Sequence, residues 1–85
     1  MSLTDEIRLR LEKTFHPATL EVVDDSESHR GHAGFREGGE SHFNVKIRAA
    51  EFADMSRIAR HRAVHAALGK DVMTRIHALA LDIGT

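Results

Sequence analysis

The chain has 85 residues, which is enough for one small domain with one core, so residues 1–85 are predicted to form a single domain. With 12 Lys and Arg against 13 Asp and Glu, the formal net charge of -1 excludes a protein-wide basic field of the kind that binds nucleic acid nonspecifically. The absence of cysteine excludes disulfides and thiolate chemistry from this chain, and the seven histidines are the unusual feature of its composition. No long apolar run or signal-like leader is present, so we expect a cytoplasmic protein without a membrane span.

The first predicted element is an amphipathic helix near the start of the chain. Its apolar residues recur at every fourth position: Leu3, Ile7, Leu11 and Phe15. Ser2 is the expected N-cap, and Pro17 disfavours helical geometry at His16. The helix is therefore expected to end before Pro17.

Two strands with a long connection are predicted next. Ala18, Leu20 and Val22 share one side of the first strand. The polar stretch 24–41 contains four glycines and is expected to be a loop. In residues 43–50, FNVKIRAA, apolar and polar residues alternate, which is typical of a strand with one buried face.

A second helix is predicted from an N-cap at Ser56 to a stop at Gly69. A side of small residues is expected to approach the sheet: Ala59, Ala63, Ala66 and Ala67. Asp71 begins a further short helical turn, and the alternation in residues 75–83, RIHALALDI, predicts a third strand.

The element order α-β-β-α-(α)-β predicts an α/β (α+β) fold with a three-stranded mixed sheet and helices on one face. The second helix crosses over between the second and third strands, and such crossovers are right-handed.

The histidines differ in what their positions imply. His29 and His32 lie in the predicted loop, where they are either solvated or free to meet a ligand. His42 begins the second strand on the side opposite Phe43, so it is expected on the exposed surface of the sheet. His77 shares a side with Leu79, which predicts a half-buried histidine with a specific partner or ligand.

The remaining histidine pair lies on the second helix. His61 and His65 are four residues apart and share a face, as in zinc-binding helices. No glutamate lies between them and arginines flank His61, so a polar helix face is the favoured interpretation. No nucleophile elbow, phosphate-binding loop or dinucleotide fingerprint is present, and an enzyme is not predicted.

Basic residues support a competing hypothesis of nucleic-acid binding. A positive patch is predicted near the second helix from Lys46, Arg57, Arg60, His61 and Arg62. The alternative is a solvated face on which these residues have no ligand. With four Phe, no Trp and no Tyr, the chain has few aromatic side chains that could stack on bases, so nucleic-acid binding would depend on phosphate contacts.

Three segments together resemble the BolA family. They are residues 40–47, ESHFNVKI, residues 52–68, FADMSRIARHRAVHAAL, and residues 76–81, IHALAL. Residues 15–29, FHPATLEVVDDSESH, and the first helix also fit the start of the family, so the resemblance covers nearly the whole chain. It implies a fold like the class II KH domain, in agreement with the element order.

The resemblance also implies two functions. One is a non-enzymatic partnership with a monothiol glutaredoxin around a shared [2Fe-2S] cluster, with glutathione as a further ligand, in iron-sulfur and iron homeostasis. In that function the family supplies a loop histidine and the histidine of the HAL motif, which here correspond to His32, or alternatively His29, and to His77. No tightly bound cofactor is expected on the isolated chain.

The other implied function is transcriptional regulation of the stress response and cell morphology through duplex DNA contacts of the KH-like surface. Asp54 replaces a glycine that is common in the family's turn before the second helix, and its charge would repel phosphate. A zinc site at the same histidines and a weak homodimer are further alternatives.

Overall fold

The computed structural model describes residues 2–25 and 42–85. Residues 26–41 of the predicted loop, with His29 and His32, therefore lie outside the described residues, and Asp24 is the last residue of β1. The described elements follow the predicted order: α1 (Leu3–Phe15), β1 (Thr19–Asp24), β2 (His42–Arg48), α2 (Arg57–Leu68), α3 (Lys70–Arg75) and β3 (Ala78–Gly84). A 3-10 helix, Ala50–Asp54, precedes α2 and was not predicted.

The predicted boundaries of both long helices are confirmed by their caps. The Ser2 hydroxyl accepts a hydrogen bond from the Asp5 amide at 3.1 Å, and the Ser56 hydroxyl accepts one from the Ala59 amide at 3.1 Å. At the end of α1, His16 adopts a left-handed conformation with a φ of 46°, and its amide donates to the Glu12 carbonyl. Pro17 follows at once, so the chain leaves the helix there.

The sheet is mixed, with β2 in the centre between β1 and β3. β1 pairs with β2 in antiparallel fashion and β3 pairs with β2 in parallel fashion, as the crossover predicts. Val22, Val45 and Leu81 lie side by side in this register. The alternation predicted for β2 is confirmed, because Phe43, Val45 and Ile47 are buried while Asn44 and Lys46 are exposed.

The core lies between this face of the sheet and the helices. All four predicted apolar positions of α1 are buried, and Phe52 of the 3-10 helix packs on Phe15 with ring centroids 4.9 Å apart. The rest of the buried apolar set is Val22, Phe43, Val45, Ile47, Ala49, Val64, Leu68 and Val72. Phe52 therefore fixes the unpredicted 3-10 turn through its burial.

The small-residue side predicted for α2 is wrong in part. The fully buried residues of α2 are Val64 and Leu68, with Ala63 and Ala67 partly buried beside them, whereas Ala66 is exposed. The two larger side chains fill the space between α2 and the core, so burial follows their spacing of four residues rather than the alanines.

An ion-pair network joins both ends of α3 to α1. The Arg10 guanidinium binds the Asp71 carboxylate at 2.9 Å and Glu6 at 3.1 Å, and it also donates to the Leu68 carbonyl. Glu6 binds Arg75 at 3.2 Å at the other end of α3. Gly69 permits this packing, because its φ is +85° and an added Cβ would lie 2.8 Å from the Asp71 Oδ1.

The network predicts a specific acid dependence of stability. The hydrogen bond from Arg10 lowers the pKa of Asp71 from 3.8 to about 2. The stabilisation is thus complete above the unfolded-state pKa and disappears as the pH falls through the folded-state pKa. We expect the difference in free energy of unfolding between the wild type and Asp71→Asn to shrink between about pH 4 and about pH 2.

Denaturant titrations at a series of pH values measure this difference. The Asp71 side chain is 63% exposed, so the effect is modest. Asp5→Asn is the control, because its contact with Arg8 is long, at 4.0 Å, and lies on the exposed side of α1. A gap between wild type and Asp71→Asn that stays constant down to pH 2 would contradict the assignment.

Candidate functional site

His77 and His42 lie side by side at the end of the sheet where β2 and β3 begin. Their ring centroids are 5.1 Å apart, with an angle of 57° between the ring planes. The strand register explains the contact, because His42 is opposite Ala78, the residue after His77. The parallel pairing of β2 and β3 thus brings together two histidines that are distant in sequence.

The two histidines differ in exposure, and both differ from the predictions. His42 is 4% exposed and is the buried polar residue of the described core, so the prediction of an exposed surface position is wrong. His77 is exposed, so the prediction of a half-buried position is wrong too. It precedes β3, which begins at Ala78, and strand alternation therefore does not fix its side chain.

The surrounding structure holds His77 in place while leaving it accessible. Two residues, Ile76 and His77, connect α3 to β3. Arg75 at the end of α3 is paired with Glu6, and Ala78 is in the ladder with β2. His77 is consequently an exposed imidazole on a short connection that is anchored at both ends, which is a suitable arrangement for a ligand to a metal held by another molecule.

The described residues supply at most part of a metal-binding donor set. Within residues 2–25 and 42–85, no group of three or more His, Asp or Glu side chains is arranged to hold a metal ion. Two imidazoles on one tetrahedral metal have centroids roughly 5 Å apart, given metal-nitrogen distances of about 2 Å. The described residues therefore place two imidazoles next to each other, and further ligands of a metal bound there would come from outside these residues.

The residues of the predicted positive patch do not lie together. Arg57, Arg60 and His61 line one cleft at the start of α2. Lys46 lies on the open face of the sheet, in register with Glu21 on one side and Asp82 on the other. Arg62 is exposed on α2 and is not part of the cleft. The structure thus supports a basic site on α2 that does not include Lys46.

The two α2 histidines are also placed apart from the pair at the sheet end. The His61 Nδ1 is 2.8 Å from the Arg57 carbonyl oxygen of its own helix, and His65 is exposed. This agrees with the interpretation of a polar helix face.

Sequence reasoning missed the pairing of His42 with His77, although both positions begin strands that were predicted to lie in one sheet with a crossover between them.

Comparison with known proteins identifies the family. A family model described as BolA-like protein matches residues 11–85. The chain belongs to the BolA family. Solved BolA1 from Arabidopsis thaliana superposes on it with a TM-score of 0.84 and 36% sequence identity, over 100% of this chain and 93% of that one. The predicted α+β fold, with helices and a three-stranded mixed sheet, is thereby confirmed by a solved relative.

Two bacterial relatives match this BolA-like protein over most of their length. An uncharacterized protein from the cobS 5' region of a Sinorhizobium species is 47% identical over 83 residues, covering 96% of this chain and 89% of the relative. The protein named DNA-binding transcriptional regulator BolA of Escherichia coli is 37% identical over 85 residues, covering 100% and 77%. The chain spans about half, 48%, of the chloroplastic BOLA1 of Arabidopsis thaliana.

Among the described residues of this chain, every helix is too short or too polar to cross a bilayer.

Proposed function

We propose that this BolA-like protein is a non-enzymatic adaptor that pairs with a monothiol glutaredoxin to bind or transfer a [2Fe-2S] cluster. The observation that carries the proposal is the exposed His77 beside the buried His42 at the end of the β2–β3 pair. Because the chain contains no cysteine, imidazole is its natural nitrogen donor to iron. Thiolates from the partner and from glutathione supply the remaining ligands in this proposal.

In this arrangement, His77 is the ligand that reaches out of the surface. His42 packs against its ring and limits the orientations that the imidazole can adopt. His32, with His29 as the alternative, is the loop ligand that the family resemblance suggests. Mixed histidine and thiolate ligation of a [2Fe-2S] cluster raises its reduction potential relative to all-thiolate ligation, as in Rieske centres.

Visible circular dichroism tests the proposal directly. Adding the protein to a cluster-loaded monothiol glutaredoxin changes the asymmetry around the iron, so we expect a new spectrum. His77→Ala is expected to abolish the change because it removes the accessible imidazole. His65→Ala is the matched control, since it removes an exposed histidine from α2 and is expected to give the wild-type spectrum.

Two results would contradict the proposal: no spectral change with the wild type, or the same change with His77→Ala. The His32→Ala and His29→Ala variants assign the loop ligand, because only the residue that binds iron alters the spectrum when it is removed. Metal analysis of the isolated protein distinguishes the zinc alternative, which predicts bound zinc without any glutaredoxin.

DNA binding through α2 is a second candidate function. It is favoured by the name of the Escherichia coli relative and by the sequence of α2, RIARHRAVHAAL, which has no acidic residue. Asp54 lies in the preceding 3-10 helix and opposes phosphate binding there.

A salt titration of duplex binding tests this candidate. If α2 contacts the phosphates, the slope of log K against log salt is expected to fall by about one for each arginine removed in Arg57→Ala and Arg62→Ala. Arg8→Ala on α1 is the control, because its side chain is 45% exposed and lies on another helix. The candidate is rejected if low-salt binding does not saturate, or if all three variants bind alike.

A further inference from the structure

The charges of α2 are not compensated within the described part of the chain. The arginines of α1, β2 and α3 all form ion pairs, at N–O distances from 2.9 to 4.0 Å. The arginines of α2 form none within residues 2–25 and 42–85, although Arg57 and Arg60 lie in its first turn, where the helix dipole is also positive. A helix start whose arginines form no ion pair within the described residues is suited to an acidic ligand.

These basic residues border a cleft of about 480 Å³. One wall consists of Met55, Arg57, Arg60 and His61, and the other consists of Leu81, Asp82 and Ile83 of β3. Along a strand, residues 81 and 83 point to one face and residue 82 to the other. A cleft that touches all three residues runs along the edge of β3, and no residue of β2 lines it.

That edge of β3 is open among the described residues. The sheet order is β1-β2-β3, so β3 pairs with β2 on one side only. β3 is seven residues long, Ala78–Gly84, which is enough to pair with a further strand. The outward backbone N–H and C=O groups of an edge strand have the spacing that a peptide backbone needs.

Local contacts keep the cleft basic. The carboxylate of Asp82 is held by Arg48 at 3.0 Å, so its charge is compensated. The Arg60 Nε donates to the Met55 carbonyl at 3.1 Å, which fixes the guanidinium base and leaves its Nη groups without a partner among the described residues.

We propose that this cleft binds an acidic segment of a partner protein in extended conformation, which adds as a fourth strand to the free edge of β3. Its backbone pairs with β3, and its carboxylates bind Arg57 and Arg60. The strand edge favours a peptide over duplex DNA, because it supplies ladder hydrogen bonds that phosphates do not use. This inference does not depend on the cluster-binding function.

Nuclear magnetic resonance titration of the full chain tests the proposal. The probe is a capped peptide of about eight residues that alternates valine and glutamate, a length that matches a typical strand. We expect the peptide to change the chemical shifts of the β3 backbone amides in the wild type. Arg57→Glu places a carboxylate in the cleft, so its affinity for the peptide is expected to be about fivefold weaker than that of the wild type. Arg62→Glu is the matched control, because it makes the same charge change on the same helix outside the cleft, and it is expected to retain more of the affinity.

Three further measurements make the test decisive. Thermal melts of both variants establish that they fold. The same peptide N-methylated at alternate amides cannot complete the ladder and is expected to bind more weakly, as is a peptide with lysine in place of glutamate. The proposal is overturned if no peptide binds, if N-methylation has no effect, if Arg57→Glu and Arg62→Glu weaken binding equally, or if a short DNA duplex displaces the peptide and binds more tightly.

Discussion

The parallel pairing of β2 with β3 is the constraint on which the candidate site depends. Its register sets His42 opposite Ala78 and so brings the His77 ring to 5.1 Å from the His42 ring. A shift of one residue would also move Leu79, Leu81 and Ile83 away from the helices, because side chains alternate between the faces of a strand. The apolar core therefore fixes the register, and the register fixes the histidine pair.

The helices support this arrangement through charge as well as packing. Arg10 and Glu6 tie α1 to both ends of α3, and α3 leads directly into His77. The ion pairs are partly exposed, so each contributes little stability alone. Their combined effect is to hold the start of the connection that carries the exposed imidazole of His77. α2, by contrast, leaves its arginines without acidic partners in the described structure and borders a different part of β3. The chain thus presents two separate surfaces along one strand: an imidazole pair at its start and a basic cleft near its end.

Much of the fold could be predicted from the sequence, and the reasons are local. The four-residue spacing in α1, the alternation in β2 and the caps at Ser2 and Ser56 each depend on neighbours in sequence. The 3-10 helix was missed because Phe52 owes its position to tertiary contact with Phe15. The predicted exposure of His42 and His77 was wrong for a related reason: alternation is reliable inside a strand, whereas His42 is the first residue of β2 and His77 precedes β3. Their proximity could nevertheless be predicted, because the starts of two parallel neighbouring strands lie at the same end of a sheet. His29 and His32 lie outside the described residues, so their place in the site stays a prediction.

The central claim is that imidazole nitrogen of this chain binds iron in a complex with a glutaredoxin. Pulsed electron paramagnetic resonance of the reduced complex tests it most directly, with ¹⁵N-histidine in this chain and an unlabelled glutaredoxin. The account predicts that nitrogen couplings to the cluster change from the ¹⁴N to the ¹⁵N pattern, and that they lose the His77 contribution in His77→Ala. Couplings that do not change on labelling this chain would contradict it.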